Sequence, residues 1–315
     1  MQYKHIFGPV PSRRLGISLG VDLVTHKICS MDCVYCECGK TTRLTVERKE
    51  YVKFKDVIKE LEHFWQHNND PDYITFSGSG EPTLNSRLGD VIDYIKENKP
   101  QIKVAVLTNS TLLSDPAVRK ELLKADLVIP SLDAVSKKAV ERINRPNPAI
   151  EGHKIAAFIE AFAKEYTGKI WLEILVLPGF NDEKTEVLLL RNAIKKINPD
   201  RVQINTLDRP GTLSDIKPAS GQQLEIIMNS LDFHAVEIIA KVDKKITTQT
   251  QRDDIKAAIV ETIHRRPCTK QDLLQTLGVE KKVLDTCIDS LEQEKIIIGK
   301  TQGRGIFYQT LKASS

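Results

Sequence analysis

Cys29-Ser-Met-Asp-Cys33-Val-Tyr-Cys36 sets three thiols within eight residues, directly after an apolar run from Ile17 to Val24 that reads as a strand. Thiolates are soft ligands suited to iron–sulfur clusters, zinc or copper(I). A loop offering three of them can cover one face of a four-iron cluster and leave the fourth iron without a protein ligand, open to a second molecule. The fold follows from what surrounds that loop.

Outward from it, apolar β-branched runs alternate with amphipathic segments. Strands are expected at Gly16–Val24, Tyr73–Ser77, Val104–Thr108, Leu127–Ser131, Ile170–Leu177 and Arg201–Asn205. Helical spacing of apolar residues is clearest at Phe54–His67, Asp90–Glu97, Ala117–Ala125, Ile155–Tyr166 and Thr185–Ile197. Strand-then-helix units imply α/β architecture, a parallel sheet with helices outside it. In such folds chemistry gathers at the carboxyl ends of the strands, and the cysteine loop follows the first of them.

The loop after the second expected strand is Ser77-Gly78-Ser-Gly80-Glu81-Pro82, where two glycines either let the backbone approach a ligand closely or make a tight turn that caps the strand. The C-x3-C-x2-C spacing, with Tyr35 before the third cysteine and this glycine loop one unit later, resembles the signature of the radical S-adenosylmethionine (radical SAM) superfamily. That resemblance implies a partial (β/α)6 barrel and a [4Fe-4S] cluster on Cys29, Cys33 and Cys36. It also implies S-adenosylmethionine (SAM) as cofactor, with Tyr35, Gly78, Gly80 and Glu81 around the methionine end. The family's glycine pair is split here by Ser79. Polar residues at later strand ends, Asn109, Ser131 and Asp133, are then candidates for the rest of the cofactor, the last two for its ribose. The plain alternative is that Ser131 and Asp133 cap a helix starting near Ser136.

Glu173 is a lone acid in the apolar run Trp171-Leu-Glu-Ile-Leu-Val-Leu, and a buried carboxylate is costly unless paired. With a period of two, Gln203 and Asn205 share one face of the last strand while Val202 and Ile204 share the other. Glu173, Gln203 and Asn205 are expected inside the barrel, either around the substrate or as a network bracing the sheet. Asp208-Arg209-Pro210-Gly211 reads as a turn able to close over a substrate. Cys38, in Cys36-Glu-Cys38, is a spare thiol, a hydrogen relay or a persulfide carrier. With the other three it makes a four-thiolate zinc site the main rival for the loop.

Further resemblance is narrower. Phe7-Gly-Pro-Val-Pro-Ser-Arg-Arg-Leu-Gly16, Cys36-Glu-Cys-Gly39 and Val202-Gln-Ile-Asn-Thr-Leu-Asp-Arg-Pro210 look like a radical SAM subgroup related to wyosine-forming tRNA enzymes. Wyosine synthases carry three more cysteines upstream, and none precedes Cys29 here. The barrel and its radical chemistry are therefore what this likeness implies, with wyosine formation left aside.

The 315 residues are 41% hydrophobic and 28% charged, with a formal net charge of +4. This is a soluble composition that permits a polyanionic partner without demanding one. No apolar run has membrane-spanning length, and the start lacks a secretory stretch, so a cytoplasmic protein and no membrane partner are expected. The barrel should occupy 1–240 and a polar linker 241–250. Residues 251–315 resemble a winged helix: Asp253–Arg265, Lys270–Leu277, Lys281–Glu294 and a wing of Ile296–Lys300 with Ile306–Gln309. From Asp253 to Ser315 ten Lys or Arg face nine Asp or Glu, too even for strong phosphate binding. That balance favours docking or presenting a partner over reading DNA. Cys268 and Cys287 are taken as core thiols on its helices.

The expected reaction is reductive cleavage of SAM to a 5′-deoxyadenosyl radical that abstracts hydrogen from a substrate, RNA base or protein. A flavodoxin- or ferredoxin-type donor would supply the electron. Activation of a protein by backbone hydrogen abstraction is the alternative enzyme, and an iron–sulfur redox sensor the alternative outside enzymes.

Overall fold

In the computed structural model the described residues are 3–12, 14–213, 215–239, 255–302 and 305–311. The expected linker at 241–250 lies outside them, as does the wing turn at 303–304. One sheet organises the first 239 residues: β1 (Ile6–Ser12), β2 (Gly16–Val21), β5 (Tyr73–Phe76), β6 (Lys103–Thr108), β7 (Leu127–Pro130), β8 (Lys169–Val176), β9 (Arg201–Thr206) and β10 (Val236–Ile238), in that spatial order. The pairs from β2 to β10 are all parallel, and only β1 runs antiparallel, paired with β2. Two short strands, β3 (Ile28–Cys29) and β4 (Arg43–Leu44), pair with each other beside the cysteine loop.

Six expected strands thus sit inside an eight-stranded sheet, with one unforeseen strand added at each edge. The β1 sequence, Phe7-Gly-Pro-Val-Pro-Ser, carries two prolines, which a strand tolerates only at an edge, and β1 is an edge.

Helices cover the outer face. These are α1 (Phe54–His67), α2 (Leu88–Asn98), α3 (Pro116–Glu121), α4 (Lys137–Ile143), α5 (Ile155–Glu165), α6 (Lys184–Ile197) and α7 (Gly221–Leu231). Each turns a stripe inward, as with Ile155, Ile159 and Phe162 on α5, or Val187, Leu190, Ile194 and Ile197 on α6. All but α4 meet Leu19, Ile74, Val104, Val128, Leu172 and Ile204 in the main core, whereas α4 packs its Ala139, Val140 and Ile143 with Val34 and Leu177 in a separate cluster beside the cysteine loop. Truncating a fully buried Phe64 or Phe162 to Ala would cost about 3–5 kcal/mol. The opposite face of the sheet closes on a small plug of Leu15, Ala105, Leu127, Ile129 and Trp171. Val202 and Ile204 face the helices, as their period requires.

The C-terminal segment runs α8 (Ile255–Arg265), β11 (Cys268–Thr269), α9 (Lys270–Leu277), α10 (Lys281–Gln293), β12 (Ile297–Gln302) and β13 (Gly305–Thr310). Its strands form a sheet ordered β11-β13-β12 over a core of its own, built on Ile259, Leu273, Leu284, Ile288 and Leu291. Cys268 lies on β11 rather than on a helix. It is buried in that core, and Cys287 packs against it from α10.

Candidate functional site

The cysteine loop hangs between β3 and β4, anchored by backbone bonds from Thr42 to Lys27 and from Thr45 to Cys29. All six cysteines are free thiols; Cys29 is buried, and Cys33, Cys36 and Cys38 are half-buried. A nitrogen donor faces each of the three signature sulfurs. Asn109 Nδ2 lies 3.5 Å from Cys29 Sγ, Asn144 Nδ2 3.5 Å from Cys33 Sγ, and Lys27 Nζ 2.9 Å from Cys36 Sγ. Lys27 and Asn144 escaped the sequence reading, since a single polar residue outside a motif gives no periodic signal. Burial pushes the Cys29 thiol up to about 11 and the Cys33 thiol higher still. Cys36 is held well below the usual thiol range, first because Cys38 donates to it and then because Lys27 stands beside it. The Cys38 sulfur itself lies 3.6 Å from the Gly78 carbonyl oxygen.

Among the described residues no three Cys, His, Asp or Glu converge on a point that one metal ion could occupy. Zinc needs sulfurs at about 2.3 Å, whereas a multi-iron cluster takes its thiolates at wider corners.

The glycine loop is shaped by the protein around it. A Cβ on Gly80 would run into the Ile28 carbonyl oxygen, and one on Gly78, whose φ is 137°, into the Asp22 carboxylate. Both glycines permit close approach of this loop to the end of β2 and the cysteine loop. Asp22, also unread in the sequence, accepts from Ser79 N at 2.9 Å and Ser79 Oγ at 2.8 Å, which gives the residue splitting the glycines its own task. Glu81 is turned inward as well. Its carboxylate takes Thr83 N and Oγ1, Thr108 Oγ1 and Asn109 N, bracing the ends of β5 and β6 together.

Tyr35, Asn109, Ser131 and Asp133, from three separate loops, line one small recess together with Met31 and Asn144. Asp133 is its hub. The Tyr35 hydroxyl donates to it at 2.5 Å, Asn144 Nδ2 at 2.6 Å and Leu175 N at 2.9 Å. Burial raises the Asp133 carboxyl despite these donors. Helix α4 is capped by Ser136, which accepts from Ala139 N, so neither Ser131 nor Asp133 serves as its cap.

Glu173, Gln203 and Asn205 meet in one network organised by a residue the sequence did not single out. Arg14 Nη1 reaches Glu173 Oε2 at 3.1 Å and Gln203 Oε1 at 2.9 Å, and Asn205 Nδ2 reaches Glu173 Oε1 at 3.4 Å. These contacts tie β8 and β9 to the segment between β1 and β2. Arg14 also lines a cleft of about 630 Å³ beside Cys38 and Gly78. One wall comprises Phe7, Ser18, Thr75, Ser77 and Leu107 of the barrel, and the other comprises Glu261, Thr262, Arg265, Gln271 and Gln275 of α8 and α9.

Arg209 closes the end of that cleft. It lies in the segment read as a turn able to close over a substrate, and its side chain, 9% exposed, joins three elements. It reaches Glu37 Oε2 in the cysteine loop at 3.2 Å, Asp272 Oδ2 of α9 at 2.7 Å and the Pro267 carbonyl at 2.6 Å. Thr212 Oγ1 adds a bond to Val34 O at 2.7 Å.

A sequence pattern described as the radical SAM superfamily matches residues 23–191, from the end of β2 into α6. The chain belongs to the radical SAM superfamily. It is 30% identical over 318 residues to a UPF0026 protein of Methanocaldococcus jannaschii, covering 98% of this chain and 96% of that one. It is 39% identical over 225 residues to a protein named GTPase Obg from Brachyspira hyodysenteriae, covering 71% of this chain but only 33% of that relative. A radical SAM methyltransferase from Sphaerobacter thermophilus shares the fold, with TM-score 0.55 at 15% identity over 70% of this chain and 65% of that one. As a radical SAM protein this chain uses a [4Fe-4S] cluster and SAM. Three soft thiols, each faced by a nitrogen donor, are a donor set that fits such a cluster, and the recess of Tyr35, Ser131 and Asp133 opens beside it. No helix among the described residues is long and apolar enough to cross a membrane.

Proposed function

We propose that this radical SAM enzyme abstracts hydrogen from a nucleobase-sized group, an RNA base, held in the cleft between the barrel rim and α8–α9. The observation that carries this reading is that cleft, about 630 Å³ and bordered at one end by Cys38 and Gly78. That size holds one small ligand or one flipped residue. Gln271 and the Thr262 hydroxyl oxygen, whose hydrogen goes to Ala258 O at 2.7 Å, offer a donor and acceptors to a base edge. The Arg265 guanidinium, 4.5 Å from the Phe7 ring centre, supplies a planar stacking surface.

Cys29, Cys33 and Cys36 would hold the cluster, and Tyr35, Asn109, Ser131 and Asp133 would border the cofactor. Once bound, cluster and SAM supply the 5′-deoxyadenosyl radical, with an electron from a flavodoxin- or ferredoxin-type donor. The chain's own part is to position and to exclude water. Asp133 fixes Tyr35 and Asn144, Asp22 fixes Ser79, and Glu173 with Gln203 fixes Arg14 on the cleft wall. We read the helix and strand order of residues 255–311 as a winged-helix-like module that roofs the site. Six free thiols suit a cytoplasmic setting.

The test incubates anaerobically reconstituted protein with SAM, dithionite and RNA from a strain lacking this chain. The expected result is faster release of 5′-deoxyadenosine with RNA than without it, and one altered nucleoside in the digest. Release that ignores RNA but rises with a small-molecule extract would sink the RNA reading.

A further inference from the structure

Lys27 is 4% exposed, and a buried ammonium costs several kcal/mol unless something compensates it. Its surroundings are unusual for a buried lysine. Nζ lies 2.9 Å from Cys36 Sγ, and among the described residues no carboxylate lies within ion-pair distance of it. The backbone gives the side chain little freedom to leave. Lys27 N is bonded to Thr42 Oγ1 at 3.2 Å, and Lys27 O accepts from Thr42 N at 3.0 Å and Arg43 N at 3.3 Å.

From this placement we infer that Lys27 sets the reduction potential of the cluster held by Cys29, Cys33 and Cys36. Reduction adds one negative charge to the cluster. A fixed positive charge in contact with a ligand sulfur, in surroundings too dry to screen it, stabilises the reduced state more than the oxidised one and raises the potential. The amides of Asn109 and Asn144 act in the same direction on the other two sulfurs, but they carry dipoles where Lys27 carries a full charge. Lys27 touches a ligand and not the substrate, so it is a tuning residue acting through Cys36. This inference goes beyond the proposed substrate and stands whatever the substrate is.

The test is a redox titration of the reconstituted full-length protein, followed by the electron paramagnetic resonance signal of the reduced cluster. Wild type is compared with Lys27→Gln and Lys27→Arg. Lys27→Gln is expected to move the midpoint to a more negative value, with a reduced-to-oxidised ratio about tenfold lower at a fixed ambient potential. Lys27→Arg, which keeps the charge, should stay near wild type. The midpoint is read from whatever fraction of Lys27→Gln assembles, since it does not depend on occupancy. If that variant holds no iron at all, Lys27→Arg decides: full iron with the wild-type midpoint supports the inference, and loss of iron there too overturns it. An unchanged Lys27→Gln midpoint overturns it. An unchanged midpoint with weakened SAM binding would assign Lys27 to the cofactor instead and overturn it likewise.

Discussion

The two walls of the site differ in what their polar groups surround. On the cluster side nearly every polar group is spent on a neighbour: Asp22 on Ser79, Glu81 on Thr83, Thr108 and Asn109, and Asp133 on Tyr35, Asn144 and Leu175. On the roof side the cleft wall mixes Thr262, Gln271 and Gln275 with apolar Phe7 and Leu107 around open volume. A saturated wall is rigid and holds a fixed cofactor, because each carboxylate over-determines the loop it touches. A mixed wall with open room is where a specific substrate finds its contacts. Arg209 is the bolt between the two walls, joining Glu37 of the cysteine loop to Asp272 of α9.

The largest expected effect breaks the cluster wall outright. Cys29→Ala, Cys33→Ala and Cys36→Ala should each abolish the cluster, read as loss of iron and of brown colour after anaerobic reconstitution. Cys38→Ala should keep iron at the wild-type level, because Cys38 donates to Cys36 and belongs to the cleft as much as to the loop. Loss of iron in Cys38→Ala would show that the two walls are not distinct at that point.

Next comes Gly80→Ala. If the glycine served only to admit the methionine backbone of SAM, the variant would keep its cluster and lose cofactor binding. The Cβ meets the Ile28 carbonyl, one residue from Cys29, so the expected outcome is loss of iron together with SAM binding. Full iron with SAM binding lost would return this residue to the ligand side.

Much of this was legible in sequence because it is local. The cysteine spacing, the glycine loop and the period-two faces of β8 and β9 each lie within a few residues, and α1 and α9 span the residues expected. What escaped reading is non-local. The partners Arg14–Glu173, Asn144–Asp133 and Arg209–Asp272 are joined only by tertiary packing, and β1 hides behind its prolines. Arg209 looked like part of a turn because the sequence of a turn does not say what its side chain will meet.

Arg209→Gln attacks the bolt. Removing one partner of a buried ion pair costs about 3–5 kcal/mol, since Glu37 and Asp272 would be left facing each other without their cation. Thermal unfolding should begin earlier, with the C-terminal segment opening to protease ahead of the barrel. Asp272→Asn should do less, because its amide can still take the Arg209 hydrogen bond while losing the charge. Equal protease resistance of Arg209→Gln and wild type would mean that the roof is held elsewhere, for instance by Arg265 over Phe7.

The smallest expected effect on the folded protein is at Gln271, and it is the sharpest probe of the comparison. Gln271→Ala removes an exposed polar side chain from the open wall without creating a buried void, so stability should change by less than about 0.5 kcal/mol. Iron content and melting temperature should match wild type. On the proposed reading the stimulation of 5′-deoxyadenosine release by RNA should nonetheless fall, because a base edge loses a donor and an acceptor that water in a confined cleft replaces poorly. The paired change Ser79→Ala on the saturated wall should show the reverse pattern: a weakened hold of Asp22 on the glycine loop and poorer SAM binding, with any residual RNA stimulation proportionally intact. If the two variants fail in the same way, the division of labour between the walls is wrong, and cluster, cofactor and substrate are held by one continuous network.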